Sequence, residues 1–190
     1  PSSGISKVHR GGLSAQRMFV EYTGAPAHAA AAPWDGINAL DAMIQLFVSI
    51  GLLRQQLRPD ARIHGVITHG GDAANIIPEY TRAEFSVRAE LLSYLNVVRA
   101  RFTAAAEAAA TATGTQVKVT EGPLYANRIN NMVMARRFEK HLNDLGLETE
   151  EPDPNAGVGS SDIGNVSMVT PAIHPYVSIS EEKLAGHTAA

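Results

Sequence analysis

Four side chains stand out as able to do chemistry: His28, Asn75, Arg88 and His187. His28 sits in Gly24-Ala25-Pro26-Ala27-His28-Ala29-Ala30, with small residues on both sides. Nothing in its own segment crowds the ring, so the imidazole is offered to something outside it. It reads either as a satisfied loop histidine or as a hydrogen-bond donor to a substrate carbonyl or carboxylate. Asn75 lies in Gly70-Gly71-Asp72-Ala73-Ala74-Asn75-Ile76-Ile77-Pro78. That stretch is either an Asx-type turn that positions Pro78 or a platform for an amide donor, near His28 if the two loops lie together. Arg88 falls on the polar face of a strand, where a guanidinium is simply solvated or binds a carboxylate bidentately. His187 stands in a terminal Gly-His-Thr turn, an ordinary surface position by itself. His64, His69, His141 and His174 read as structural or surface residues. Glu150-Glu151 and Glu181-Glu182 invite a paired-carboxylate reading. No histidine precedes either pair with metal-ligand spacing, and no His-x-Asp triplet occurs in the chain. Recognisable motifs therefore do not assemble a complete zinc site.

Elements that position these groups follow from periodicity. Leu13–Tyr22 has strand composition. Asp35–Leu57 carries Ile37, Leu40, Met43, Ile44, Phe47, Val48 and Leu52 near helical spacing, with Asp35 as the expected N-cap. Ile63–Thr68 is a β-branched strand closed by Gly70-Gly71. Glu79–Glu90 alternates cleanly, with Thr81, Ala83, Phe85, Val87 and Ala89 on one face and Arg88 among the polar residues on the other. Ser93–Thr113 is an alanine-rich helix stopped by Gly114, and Thr115–Thr120 is a further strand. Strand, helix, strand, strand, helix, strand is the split βαβ order. The fold class is α+β, a ferredoxin-like βαββαβ domain over 12–122 with a four-stranded antiparallel sheet and two helices.

Gly122-Pro123 breaks this pattern. Asn130–Leu145 is a third helix, with Met132, Val133, Phe138, Leu142 and Leu145 expected inward and Gly146 at its end. A short segment at Asp162–Val169 and a strand around Ala172–Ile179 follow. This tail of about seventy residues is too short to form a good core alone.

Composition narrows the function. The chain has 190 residues, 45% hydrophobic and 18% charged, with a formal net charge of −3 and no basic block. Nucleic-acid binding has little support on that balance. There is no cysteine, which excludes disulfides and thiolate metal sites. No apolar run approaches the ~18 residues of a spanning helix, so no membrane association and a cytoplasmic setting are expected. Pro1 at the start and the close at Ala190 read as cuts in a longer protein.

The motifs around His28 and Asn75 occur in order with Pro33-Trp34-Asp35-Gly36-Ile37-Asn38-Ala39-Leu40 between them. Downstream come Gly159-Ser160-Ser161-Asp162-Ile163-Gly164-Asn165-Val166-Ser167, Pro171-Ala172-Ile173-His174-Pro175-Tyr176 and His187-Thr188. Together they resemble the zinc aminoacylase/carboxypeptidase family, in the amidohydrolase branch near aminobenzoyl-glutamate hydrolase. The resemblance makes 12–122 the lid, or dimerisation, domain, and makes 1–11 and 123–190 remnants of a metal-binding catalytic domain. It implies hydrolysis of the amide bond of an N-acyl amino acid or dipeptide, two zinc ions or another divalent metal in the full-length parent, and a homodimer formed through the lid helix and the Ile63–Thr68 strand. His28 is then a catalytic histidine that reaches the partner's active site and stabilises the oxyanion. Asn75 and Arg88 hold the substrate's carbonyl or terminal carboxylate, and His187 is the last metal ligand. The other ligands and the general base are expected upstream of Pro1, so this chain alone should be inactive and bind zinc poorly. The rival reading is a non-catalytic ferredoxin-like dimerisation or regulatory module, because this architecture hosts many functions.

Overall fold

The computed structural model describes residues 4–151 and 159–180. In chain order the elements are β1 (Ser6–Lys7), β2 (Ser14–Thr23), a 3-10 turn (Pro33–Asp35), α1 (Ala39–Arg54), β3 (Arg62–His69), β4 (Tyr80–Ala89), α2 (Leu92–Thr113), β5 (Gln116–Tyr125), α3 (Met132–Asp144), β6 (Thr149–Glu150) and α4 (Ile163–Ser167). They group into two compact units, Ser14–Leu124 and the remainder on either side of it.

The Ser14–Leu124 unit has the expected α+β fold. Its four strands lie in the order β3-β4-β2-β5, and β4 runs antiparallel to both neighbours. One face of the sheet is apolar: Met18, Val20 and Tyr22 of β2 and Ala83, Phe85, Val87 and Ala89 of β4 are buried. Ala39, Ala42, Met43, Leu46 and Ile50 of α1 and Leu95, Val98, Phe102, Ala106, Ala109 and Ala110 of α2 join them in one core. Phe85 is its hub. Its ring centroid lies 4.9 Å from that of Phe102, edge to face, and 5.0 Å from that of Phe47. Polar groups on this face are satisfied, as burial demands. Ser14 donates to the Ala89 carbonyl at 2.8 Å, Thr81 to the Ala39 carbonyl at 3.0 Å and Tyr22 to the Ala106 carbonyl at 2.9 Å.

Two details of the helices differ from expectation. Asn38, not Asp35, caps α1: its side-chain oxygen accepts from the Leu40 N–H at 2.9 Å. Ile37 exchanges backbone hydrogen bonds with Ala25, both 2.9 Å, so the chain is still extended at Ile37 and helix begins only afterwards. The expected α1 stripe is also split. Met43 is buried and Leu40 and Phe47 half-buried, while Ile44, Val48 and Leu52 are 51%, 57% and 65% exposed. The alanines at positions 39 and 42 let the backbone approach the sheet, which turns the buried face away from those three side chains. α2 ends as expected at Gly114, which takes φ +73° and donates to the Ala110 carbonyl.

The opposite face of the sheet is polar. Arg17 pairs with Glu84 at 3.3 Å, Tyr80 donates to Glu21 at 2.6 Å, and Lys118 lies 3.7 Å from Glu21. The Tyr80 hydroxyl holds the Glu21 carboxyl below its usual range; burial opposes this and Lys118 assists it.

In the second unit, β1 and β6 pair in parallel, and Val8, Ala135 and Leu142 form a small core with Phe138, Ile173 and Val177. The expected strand at Ala172–Ile179 is not formed. It reduces to isolated bridges at Tyr176 and Ser178, and Tyr176 exchanges backbone bonds with Lys7 at 2.7 and 2.8 Å. On α3, Phe138 and Leu142 face inward as expected, but Met132, Val133 and Leu145 are exposed. Ala135, Phe138 and Leu142 define the one covered face; Val133 falls on the other side, and Met132 and Leu145 lie at the helix ends, past the core.

Phe102→Ala should destabilise the chain by about 3–5 kcal/mol, since it removes the ring packed edge-on to Phe85; denaturant unfolding measures this, and a loss within error of zero would contradict a core centred there. A second outcome concerns pH. A depressed carboxyl contributes stability above its unfolded-state pKa and loses it as pH falls through the folded value. Tyr80→Phe should therefore move the Glu21 titration to higher pH, as read by carboxyl carbon NMR; an unmoved midpoint would assign the shift to other groups.

Candidate functional site

β2 delivers the chain to Thr23, and from there the His28 loop departs. At Gly24 the backbone runs against Ile37: a Cβ would overlap the Ile37 carbonyl oxygen and lie 2.9 Å from its carbon. Only glycine lets the two strands of the loop base close. Reciprocal bonds between Ala25 and Ile37 then cinch the loop.

The loop carrying Asn75 is stitched to this one along its length. Gly24 N–H donates to Glu79 O at 2.7 Å and Ala39 N–H to Pro78 O at 2.8 Å. Ile77 N–H donates to Ala27 O at 2.9 Å, and Ala29 N–H to Asn75 O at 3.0 Å. His28 and Ile76 form an antiparallel bridge between the last two bonds. His28 and Asn75 are thus placed together, on two exposed segments held by one ladder. The imidazole is itself tethered: its Nδ1 accepts from Ala30 N–H at 3.3 Å and Ala31 N–H at 3.2 Å. Trp34, on the same loop, is 78% exposed. The Asn75 loop is braced by His69, which lies 3.6 Å from Asp72 and has its ring centroid 5.5 Å from that of Tyr80.

Arg88 is elsewhere. It pairs across the sheet with Ala15 of β2 and Arg62 of β3, while Thr23, which leads into the His28 loop, pairs with Tyr80. From Tyr80 to Arg88 the strand runs on the order of 26 Å at about 3.3 Å per residue. Within one chain the structure therefore does not bring Arg88 to His28 and Asn75. Its Nε donates to Ser86 at 3.4 Å, and no carboxylate pairs with it among the described residues.

His187 and the Glu181-Glu182 pair lie outside the described residues. Among the described residues no group of three or more His, Cys, Asp or Glu side chains could hold a metal ion. His174 lies against Arg128, 3.0 Å from its Nδ1, and burial, then the Arg128 charge, lower its pKa. Glu150 is engaged with Lys7. His9, which the sequence did not single out, is paired with Glu139 at 3.1 Å. No helix among the described residues is long and apolar enough to cross a membrane. The features that sequence reasoning did not reach are backbone ones: the Gly24–Ile37 crossing and the amides of Ala30 and Ala31. Their only trace was a density of glycine and alanine around His28.

Comparison with known proteins adds a family to this geometry. Residues 10–113 match the family model of the peptidase dimerisation domain. The chain is 40% identical to the Xaa-Arg dipeptidase of Mus musculus over 174 residues, which is 90% of this chain and 40% of that protein. It is 26% identical over 126 residues to one subunit of the p-aminobenzoyl-glutamate hydrolase of Escherichia coli, covering 66% of this chain and 26% of the relative. The fold matches the aminobenzoyl-glutamate utilization protein of Klebsiella pneumoniae with a TM-score of 0.69, at 19% identity, over 88% of this chain and 44% of that one. The chain thus spans less than half the length of each of these proteins. With the ferredoxin-like sheet, the ordered motifs and these matches in agreement, the chain belongs to the M20 peptidase family and carries its dimerisation domain.

Proposed function

We propose that this chain is the lid and part of the catalytic domain of an amidohydrolase that cleaves a dipeptide or N-acyl amino acid, and that its active site is shared between two copies. The Ser14–Leu124 unit is the lid, and the described residues on either side belong to the catalytic part. Identity of 40% to a protein named Xaa-Arg dipeptidase supports a peptide substrate with a free terminal carboxylate. The non-catalytic alternative gains nothing from relatives named as a dipeptidase and a hydrolase.

One observation carries the shared site: His28 and Asn75 lie at one end of the sheet and Arg88 at the other. An extended dipeptide spans roughly 7 Å, so no such substrate touches all three in one lid. In a pair of lids, His28 and Asn75 of one copy meet a substrate whose carboxylate is held by Arg88 of the other. His28 donates from Nε2 and Asn75 from its amide to the carbonyl oxygen, where negative charge develops during attack. Arg88 supplies a bidentate fork to the carboxylate.

The family is generally metal-dependent. The described residues do not furnish a donor set, so no step is assigned through a metal. In this reading zinc is the metal, His187 is its single ligand from this chain, and the remaining ligands and the base come from outside it.

Exposed apolar groups on the lid support a homodimer. Ile44, Val48 and Leu52 form the exposed apolar face of α1, and Val66 and Ile67 are exposed on β3, an edge strand with an open row of backbone groups. Pairing two copies there covers both liabilities.

In the full-length protein, His28→Ala should lower kcat about 10²–10³-fold, the usual loss for one oxyanion donor. Mixing it with Arg88→Ala should recover part of the turnover, because a mixed dimer retains one intact site. Full turnover by the single variant, or no recovery on mixing, overturns the shared site. Separately, Val48→Glu should convert a dimer to a monomer in analytical ultracentrifugation; a wild-type chain that sediments as a monomer at micromolar concentration contradicts the interface.

A further inference from the structure

We infer that the backbone amides of Ala30 and Ala31 act as a clamp that holds His28 in the tautomer with its proton on Nε2, making this ring a hydrogen-bond donor and not a proton acceptor. The residue acts as the N-cap of a single turn. Ala32 N–H donates to the His28 carbonyl at 3.1 Å, closing that turn. The amides of the two residues before Ala32 then point at the ring, as the second and third amides of a helix point at a capping Asp or Ser. Both meet the same atom, Nδ1, at 3.3 and 3.2 Å.

Neutral imidazole has one donor and one acceptor nitrogen. An N–H at Nδ1 would face two other N–H groups. An acceptor at Nδ1 receives both, and the proton is left on Nε2. The assignment follows from the partners of the ring. Nε2 has no hydrogen-bond partner among the described residues, and the residue is exposed. The next bond along the chain, Ala29 N–H to Asn75 O, ties the same turn to the Asn75 loop. The clamp therefore orients the donor as well as selecting the tautomer. Ala30 and Ala31 are positioning residues; they act through His28.

The alanine run acquires a reason at this point. The turn must bend sharply enough for two consecutive amides to reach one side chain. Small side chains there leave the ring uncovered for an outside acceptor. The catalytic consequence rests on the role proposed for His28 above; the tautomer does not.

The test is long-range proton–nitrogen correlation NMR on the labelled 190-residue chain. The His28 signals are assigned by their loss in His28→Gln. Above the pH at which the imidazolium titrates, wild-type Nδ1 should resonate as an unprotonated nitrogen and Nε2 as a protonated one. Exposed His141 serves as the internal reference for a ring that exchanges between tautomers. Ala31→Pro removes one clamping amide and should move the His28 shifts toward that average, while Ala31→Gly, which keeps the amide, should not. An Nδ1–H tautomer in the wild type, an average like that of His141, or shifts unmoved by Ala31→Pro would each overturn the clamp. Should Ala31→Pro fail to fold, the wild-type spectrum decides alone. Because the readout is independent of turnover, loss of the clamp and loss of the catalytic role of His28 are separable results.

Discussion

The ten-residue antiparallel register of β2 on β4, from Ser14 opposite Ala89 to Thr23 opposite Tyr80, decides where every candidate group of the lid stands. Sheet pairing has a period of two, so one residue of slip would exchange the core face for the polar face along the whole strand. The buried set from Met18 to Tyr22 and from Thr81 to Ala89 excludes that slip. With the register set, the His28 and Asn75 loops leave from the same end of the sheet, and Arg88 is held at the other. The chain enters this unit at Ser14, which pairs with Ala89 and so lies at the Arg88 end.

α1 serves two surfaces. Its inner side packs on the sheet through Ala39, Ala42, Met43, Leu46 and Ile50. Its outer side keeps Ile44, Val48 and Leu52 exposed. A helix apolar on more than one side loses the simple amphipathic pattern, and the sequence offers no means of telling which stripe is core. The beginning of the helix is subject to the same kind of competition. Asp35 is an acceptable cap by type, but the Ala25–Ile37 pair keeps the chain extended past it, and Asn38 takes the role.

The His28 end of the sheet depends on backbone hydrogen bonds more than on side-chain packing. His28 and Asn75 are both exposed, and neither is placed by a core. The stitches between their loops, and the turn that presents amides to the His28 ring, do the placing instead. Glycine at position 24 is required because the two backbones nearly touch.

Local pattern by itself determined a good deal. Alternation in Glu79–Glu90 marked both the strand and its buried face, Gly114 marked the end of α2, and the element order marked the ferredoxin-like architecture. These are legible because each rests on spacing between near neighbours in the chain. His28 and Asn75 were singled out as candidates by their motifs, and Arg88 by its place on the polar face of its strand. What only tertiary structure decided was their grouping. Asn75 is 47 positions from His28 in the sequence yet joined to it by a backbone ladder, while Arg88, only 13 positions beyond Asn75, is carried to the far end of the sheet. Strand direction converts a short separation in sequence into a long one in space, and a long one into contact. The tautomer of His28 was hidden for a related reason: it is set by amides, which every residue except proline has, so no residue type announces it.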